Sequence, residues 1–197
     1  METRFVSFFW TIFIPFVYCT NQIFTKLNKR IEDILNKQIK AEAFSSQLYL
    51  AMASWAESEG LSGTTQFLYE HSDEERVHML KLVKYVNERG GKAVIPALPQ
   101  PPSSFDGVRA VFEQLLAHEE MVTNEINQIV FLCLEEKDYT THNFMQWFVS
   151  EQIEEEALAR TVMDKLNLIG NQPAGIYLFD RDLENLNTAG ASGAQQA

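Results

Sequence analysis

The chain has 197 residues, 46% of them hydrophobic, with 14 Phe and 3 Trp. That is enough apolar material for one buried core and too much for a chain disordered throughout. The formal net charge of −11, from 16 Lys and Arg against 27 Asp and Glu, argues against a nucleic-acid surface, which needs clustered cations, and is compatible with attracting metal cations. The two cysteines, Cys19 and Cys133, form no CxxC motif and no disulfide framework. Cys133 falls on an apolar helical stripe and reads as a small core residue.

Residues 1–26 do not resemble the rest. From Phe5 to Cys19 the run FVSFFWTIFIPFVYC is strongly apolar, with Arg4 before it. Three origins compete: a targeting segment, whose end lacks a clean pair of small residues; a membrane anchor, short and interrupted by Pro15; and a mis-assigned start, with translation beginning near Leu27. The third is favoured. A helical pattern then runs from about Asn28 to Glu59 and breaks at Gly60, Ser62 and Gly63, with Thr64 as the expected N-cap of the next helix. The second helix continues to Arg89 and stops at Gly90-Gly91. The stretch KAVIPALPQPPSSFD holds four prolines and cannot be helical. Its length implies a crossover between opposite ends of a bundle. Ser104 or Asp106 is the expected cap of the third helix, which runs to about Glu136, and Thr140 or Thr141 that of the fourth, which ends near Gly170-Asn171. Pro173 opens a short fifth segment with Ile176, Leu178, Phe179 and Leu183 apolar, too short to stand without docking. The predicted organisation is a leader (1–26), an all-α domain (27–187) and an uncharged, disordered tail (188–197). No strand-like alternation of useful length appears, so a four-helix bundle with one long crossover is the economical fold.

The four long helices share an oddity. On alternating steps of four and three, their inner stripes are apolar except for Gln38, Glu42, Ser45 and Tyr49 on the first, His71, Glu75 and His78 on the second, Glu119 on the third, and Gln152 and Glu155 on the fourth. Unpaired carboxylates cost several kcal/mol each to bury, so four helices that aim them inward need a shared counter-charge, and a metal cluster supplies one. Glu75-x-x-His78 alone is a weak motif. Inside the ladder it cannot be a solvated surface pair without leaving a buried charge unexplained. Glu119, flanked on its stripe by Leu115 and Val122, is the most anomalous carboxylate. Gln152-x-x-Glu155 stands where a symmetric di-iron protein would offer a second Glu-x-x-His, so one metal position should be more weakly held. Glu74, Glu151 and Glu154 lie one step round their helices, either as a solvated acidic face or as a third, carboxylate-only cation site sharing Glu155. Carboxylates with one imidazole suit iron or manganese. Tyr49 fits ordinary packing and a role beside the metals equally. His71, His118 and His142 have no partner that spacing specifies; Trp55 and Trp147 read as core or interface residues.

On the segments EAFSSQLY at 42–49, HSDEERVHM at 71–79, Glu119 within HEEMVTNEIN, and NFMQWFVSEQIEEE at 143–156, residues 27–187 resemble the bacterial non-haem ferritins. The resemblance implies a ferritin-like bundle with a short fifth helix. It implies one iron held by Glu42, Glu75 and His78, and a second by Glu75, Glu119 and Glu155 with Gln152 nearby. A third position would draw on Glu74, Glu151, Glu154 and Glu155. It further implies oxidation of Fe2+ by O2 or H2O2, ferric mineral inside a hollow shell of 24 subunits, and a cytoplasmic location, although the leader leaves export or membrane attachment open. Haem is not expected, since the haem-binding branch carries a second Glu-x-x-His. Rubrerythrins carry a CxxC iron domain, and the DNA-shielding mini-ferritins often a basic tail; neither is seen here. No nucleic acid and, for residues 27–197, no membrane is expected as partner. The competing expectations are a di-iron oxidase acting on an organic substrate, which would need an apolar pocket beside the metals, and a shell subunit that only nucleates mineral.

Overall fold

The computed structural model describes residues 26–170 and 172–190. Most of the expected leader, residues 1–25, and residues 191–197 of the expected tail lie outside them. Five helices follow in order: α1 (Lys29–Ser58), α2 (Ser62–Glu88), α3 (Val108–Glu135), α4 (Tyr139–Ile169) and α5 (Pro173–Gly190). The first four form the bundle. α1 and α2 are an antiparallel pair, with Leu27 N donating to the carbonyl of Arg89 at 3.1 Å. The proline-rich segment then returns along α1. Asn36 pins its start, donating to the carbonyl of Lys92 at 3.0 Å and accepting from Val94 N at 2.7 Å. Phe105 packs on Trp55 near its end. α3 therefore runs parallel to α2, and the bond between Arg30 and Glu136 joins the start of α1 to the end of α3. α4 closes the bundle antiparallel to α3, where Arg109 donates to Asn167 and to the Leu166 carbonyl. No helix among the described residues is long and apolar enough to cross a membrane.

The helix starts differ from the expected caps. Asn28 caps α1, its side chain accepting from Arg30 N. Asp138, not Thr140 or Thr141, caps α4 by accepting from Thr141 N at 2.9 Å and Thr141 Oγ1 at 2.6 Å. α3 starts after Gly107 with no side-chain cap. Gly107 has φ +96, a left-handed region that a side chain would strain, so neither Ser104 nor Asp106 fills the role. α2 starts at Ser62 with Leu61 in the cap position and no capping oxygen of its own. Its cap comes instead from α5. Buried Asp180 accepts from Gly63 N (3.1 Å), Thr64 N (2.8 Å) and Thr64 Oγ1 (2.7 Å). An acidic side chain here satisfies orphan amides and meets the positive end of the α2 dipole. Phe179 and Leu183 of α5 are buried, and Phe179 packs on Phe112. α5 also reaches Gly190, three residues into the expected tail.

The apolar core is divided. One half holds Leu48, Met52, Phe67, Phe112, Val162 and the buried face of α5. The other holds Ile31, Leu35, Leu82, Ile126, Cys133 and Phe148. Between them lies a layer of buried polar side chains, and that layer is the site.

Asp180→Ala removes three hydrogen bonds to α2 at once and is expected to cost about 2 kcal/mol. Denaturant unfolding measures the loss. Hydrogen exchange at the Gly63 and Thr64 amides should speed up before that of amides at mid-bundle.

Candidate metal centre

The layer is built from the middle turns of the four long helices, where each inner stripe changes from apolar to polar. Glu42, Glu75 and Glu119 are 1%, 3% and 1% exposed, and Gln152 and His78 are 4% and 5%. Glu42, Glu75 and His78 each present a ligand atom, all within 4.8 Å of one another. Ligands about 2 Å from a common ion lie roughly 3–4 Å apart, so small side-chain movements would bring this set onto one cation. Glu75 Oε2 is the sharpest feature: a buried carboxylate oxygen with no hydrogen-bond partner among the described residues. Such an atom is costly unless something else occupies its lone pairs.

Charge accounts for the electrostatics. Burial pushes Glu42 up to about 7, against hydrogen bonds with Glu75 and Gln38 that pull it down. Gln38 Nε2 donates to Glu42 Oε1 at 2.9 Å. Glu75 stands well above the carboxylate range, through burial and then the neighbouring charges of Glu42 and Glu119. His78 is lowered to about 4, by burial first and then by Lys81 and His71. It is therefore uncharged at neutral pH, and its approaches of 3.9 Å to Glu42 and 3.8 Å to Glu75 are not ion pairs. A neutral imidazole is the form that binds metal.

Glu119 sits across the layer. Tyr49 donates its hydroxyl to one carboxylate oxygen and Gln152 Nε2 donates to the other at 3.0 Å. Burial still raises Glu119, less so because of these two bonds. Burial holds the Tyr49 phenol well above its usual value, so it remains a donor. Glu155 is partly open, with a side chain 13% exposed. It is pushed up to about 8 by burial and then by Glu119, Glu74, Glu151 and Glu154.

The expected residues thus fall into sub-groups. Glu42, Glu75 and His78 form one ligand cluster. Glu119, Tyr49 and Gln152 form a hydrogen-bonded set. Glu155 forms a second cluster with Glu74 and His71. Glu151 and Glu154 reach Glu155 by charge and join no ligand cluster among the described residues. His71 carried no assignment from sequence; the available signal was its place on the inner stripe, four residues before Glu75. Trp147 lies edge-on to the His78 ring at 5.2 Å, with Lys81 Nζ 3.6 Å from its ring centre. His118 finds a partner in Ser45 Oγ at 2.8 Å.

A helical bundle that gathers carboxylates and one imidazole between facing helices defines a class, the bundle proteins that hold metal ions in their cores. Comparison makes the family definite. The model of the ferritin-like domain matches residues 32–169. A probable bacterial non-heme ferritin-like protein of Haemophilus influenzae is 43% identical over 162 residues, 82% of this chain and 98% of that protein. A bacterial non-heme ferritin of Campylobacter jejuni is 42% identical over 160 residues, 81% of this chain and 96% of its own length. Among solved structures, an open-pore ferritin from the hyperthermophilic archaeon Archaeoglobus fulgidus superposes with a TM-score of 0.79 at 40% identity, covering 81% of this chain and 98% of that one. The chain belongs to the ferritin family.

The raised carboxylates predict how the metal-free protein responds to pH. Glu42 and Glu155 hold protons in the folded state that they would release, at an ordinary value of 4.5, once unfolded. Folding therefore takes up protons, and stability falls as pH rises from about 4.5 through 7 to 8. His78 contributes the opposite slope, but only between about 4 and 6.5. Between pH 6.5 and 8.5 the metal-free protein should lose about 2 kcal/mol, seen as a thermal midpoint lower by roughly 5 °C. A saturating divalent cation should flatten that slope, and calorimetry with and without metal measures both.

Proposed function

We propose that this chain is an iron-storage ferritin that oxidises Fe2+ at the carboxylate layer before ferric iron moves to a mineral. Iron is substrate and cargo here. One ion would be held by Glu42, Glu75 and His78, and a second by Glu75, Glu119 and Glu155, with Glu75 between them and Gln152 adjoining. Glu74 and Glu155 would supply a third position, with Glu151 and Glu154 adding negative charge beside it. The observation that carries this is Glu75 Oε2, an unpaired oxygen buried beside a second carboxylate and a neutral imidazole. Two Fe2+ arriving there replace protons as the counter-charge of the layer. The two electrons they give up reduce O2, with two protons, to H2O2, or reduce H2O2, with two protons, to water. Oxygen and imidazole ligands favour the ferric product, and among the described residues no thiol joins the layer.

Assembly into a closed shell of 24 subunits in the cytoplasm belongs to the same proposal. Large apolar side chains left open on the single chain support it: Phe131 is 62% exposed, Tyr139 67%, Leu168 87% and Tyr177 69%. An oxidase acting on an organic substrate would need an apolar pocket against the metals. A cavity of about 520 Å³ is lined by Trp55, Leu61, Val108 and Ile176, at the end of the bundle where α5 docks and not at the carboxylates.

The test is Fe2+ oxidation by the apoprotein, followed by ferric absorbance and O2 uptake together, then sizing of the product. A fast phase saturating near two or three irons per chain, then slow growth of a large iron-filled particle, is expected. Glu75→Ala and His78→Ala should each slow the fast phase by at least roughly ten-fold. Parent protein that oxidises iron no faster than buffer would overturn the reading, and a fast phase without mineral in a small oligomer would move it to a di-iron oxidase.

A further inference from the structure

His71 is a buried imidazole that the paired centre does not use and, unlike His118, which is bonded to Ser45 Oγ, it faces a carboxylate cluster. Its side chain is over nine-tenths buried, and its ring lies flat on Phe67 at 4.0 Å between centroids. Nδ1 is 2.8 Å from the carbonyl oxygen of Phe67, four residues earlier on α2. A carbonyl only accepts, so Nδ1 carries a proton, and Nε2 is the ring nitrogen left to face a metal. Nε2 points toward Glu155 Oε2 at 3.7 Å, too far for a hydrogen bond. Donation of one ring nitrogen to a backbone carbonyl, with the other left free, is how metal-binding histidines are oriented. The ligand atoms of His71, Glu155 and Glu74 lie within 4.8 Å of one another, and the three residues are buried, partly buried and exposed in that order.

We propose that His71 is a metal ligand, so that the auxiliary cation position beside the paired centre is a mixed nitrogen and oxygen site of His71, Glu74 and Glu155. This rests on the metal-binding reading of the layer and deepens it. The consequence is selectivity. Sites made only of carboxylates bind hard cations such as Mg2+ and Ca2+ readily, whereas an imidazole shifts preference to first-row transition metals. His71 would thus keep the position available to Fe2+ when Mg2+ is abundant.

Zn2+ is the probe, because it is redox-silent and favours imidazole. The full-length metal-free chain would be titrated calorimetrically with Zn2+ in excess Mg2+, and crystals soaked in Zn2+ examined by anomalous scattering. The expected result is an anomalous peak about 2.0–2.1 Å from His71 Nε2. One binding event should weaken at least about ten-fold in His71→Ala and in Glu74→Gln. If His71→Ala fails to fold, the anomalous peak on the parent protein keeps the test decisive, because Glu74→Gln weakens the position whether or not His71 is a ligand. Parent-like affinity in both variants, or a Zn2+ peak bound by Glu74, Glu151 and Glu154 out of reach of His71, would overturn the proposal. Glu42→Gln and Glu75→Gln distinguish the two readings. If they leave every event intact while the His71-dependent event exists, the paired centre has been misplaced and the His71 site stands.

Discussion

Carboxylates gathered inside an apolar bundle lose their hydration and repel one another, and the rest of this chain is arranged around that cost. Apolar residues of similar volume in the same layer would give a more stable bundle. What the protein provides in their place is minimal. Gln38 gives one donor to Glu42, Tyr49 and Gln152 give one each to Glu119, and Glu75 Oε2 receives none. Among the described residues no Lys or Arg is buried in the layer. Without metal the charge is managed by protons, which is what the raised values of Glu42 and Glu155 express. Cations and protons therefore compete for the same oxygens, and metal binding must release protons. Two apolar half-cores, one on either side, hold the four backbones in place while the occupants of the layer change.

That arrangement also separates what a sequence can disclose from what it cannot. The stripes were legible because helical periodicity is a one-dimensional signal, and a carboxylate between Leu115 and Val122 cannot avoid the core. Glu42, Glu75, Glu119 and Gln152 all lie where that reasoning puts them, essentially closed to solvent. The crossover was legible for the same reason, since Gly90-Gly91 and the following prolines act locally. The caps were not. Thr64 carries the chemistry of a cap, yet α2 begins two residues earlier because its capping oxygens come from Asp180, 116 residues away. Nothing in the local sequence around Ser62 announces a partner on α5. The outer cluster was half legible. Glu74 and Glu155 could be placed near one another from their positions on facing helices. The pairing with His71 depends on a rotamer that the Phe67 carbonyl and ring fix.

The layer is also asymmetric, and Gln152 shows why. It stands where a fifth buried carboxylate would face Glu119, and its amide donates to Glu119 Oε2 and lies 3.3 Å from Thr123 Oγ1. A glutamate at 152 would turn that hydrogen bond into a like-charge contact, raising Glu119 further and demanding a more permanent counter-ion. A neutral amide lowers the charge demand on the α3 and α4 side of the centre, which fits an ion meant to leave. On the proposed assignment the α1 and α2 side, with Glu42, Glu75 and His78 all closed to solvent, would hold its ion more firmly.

The same asymmetry sets a direction. From Glu75 outward through Glu155 to Glu74, side chains pass from closed to open, and Glu151 and Glu154 add negative charge beside that route. Lys81 lies over the face of Trp147, and its charge reaches His78 and, at the edge of this route, Glu151. On the proposed reading, a cation approaching from solvent would meet first carboxylates that are still hydrated, then the His71 nitrogen, then the buried set of Glu42, Glu75 and His78. Each step trades water for a protein ligand, so no single step has to bear the whole cost of stripping a hydrated ion. On that view Glu155, partly open at the border, is placed where an entering ion and a bound one could share it.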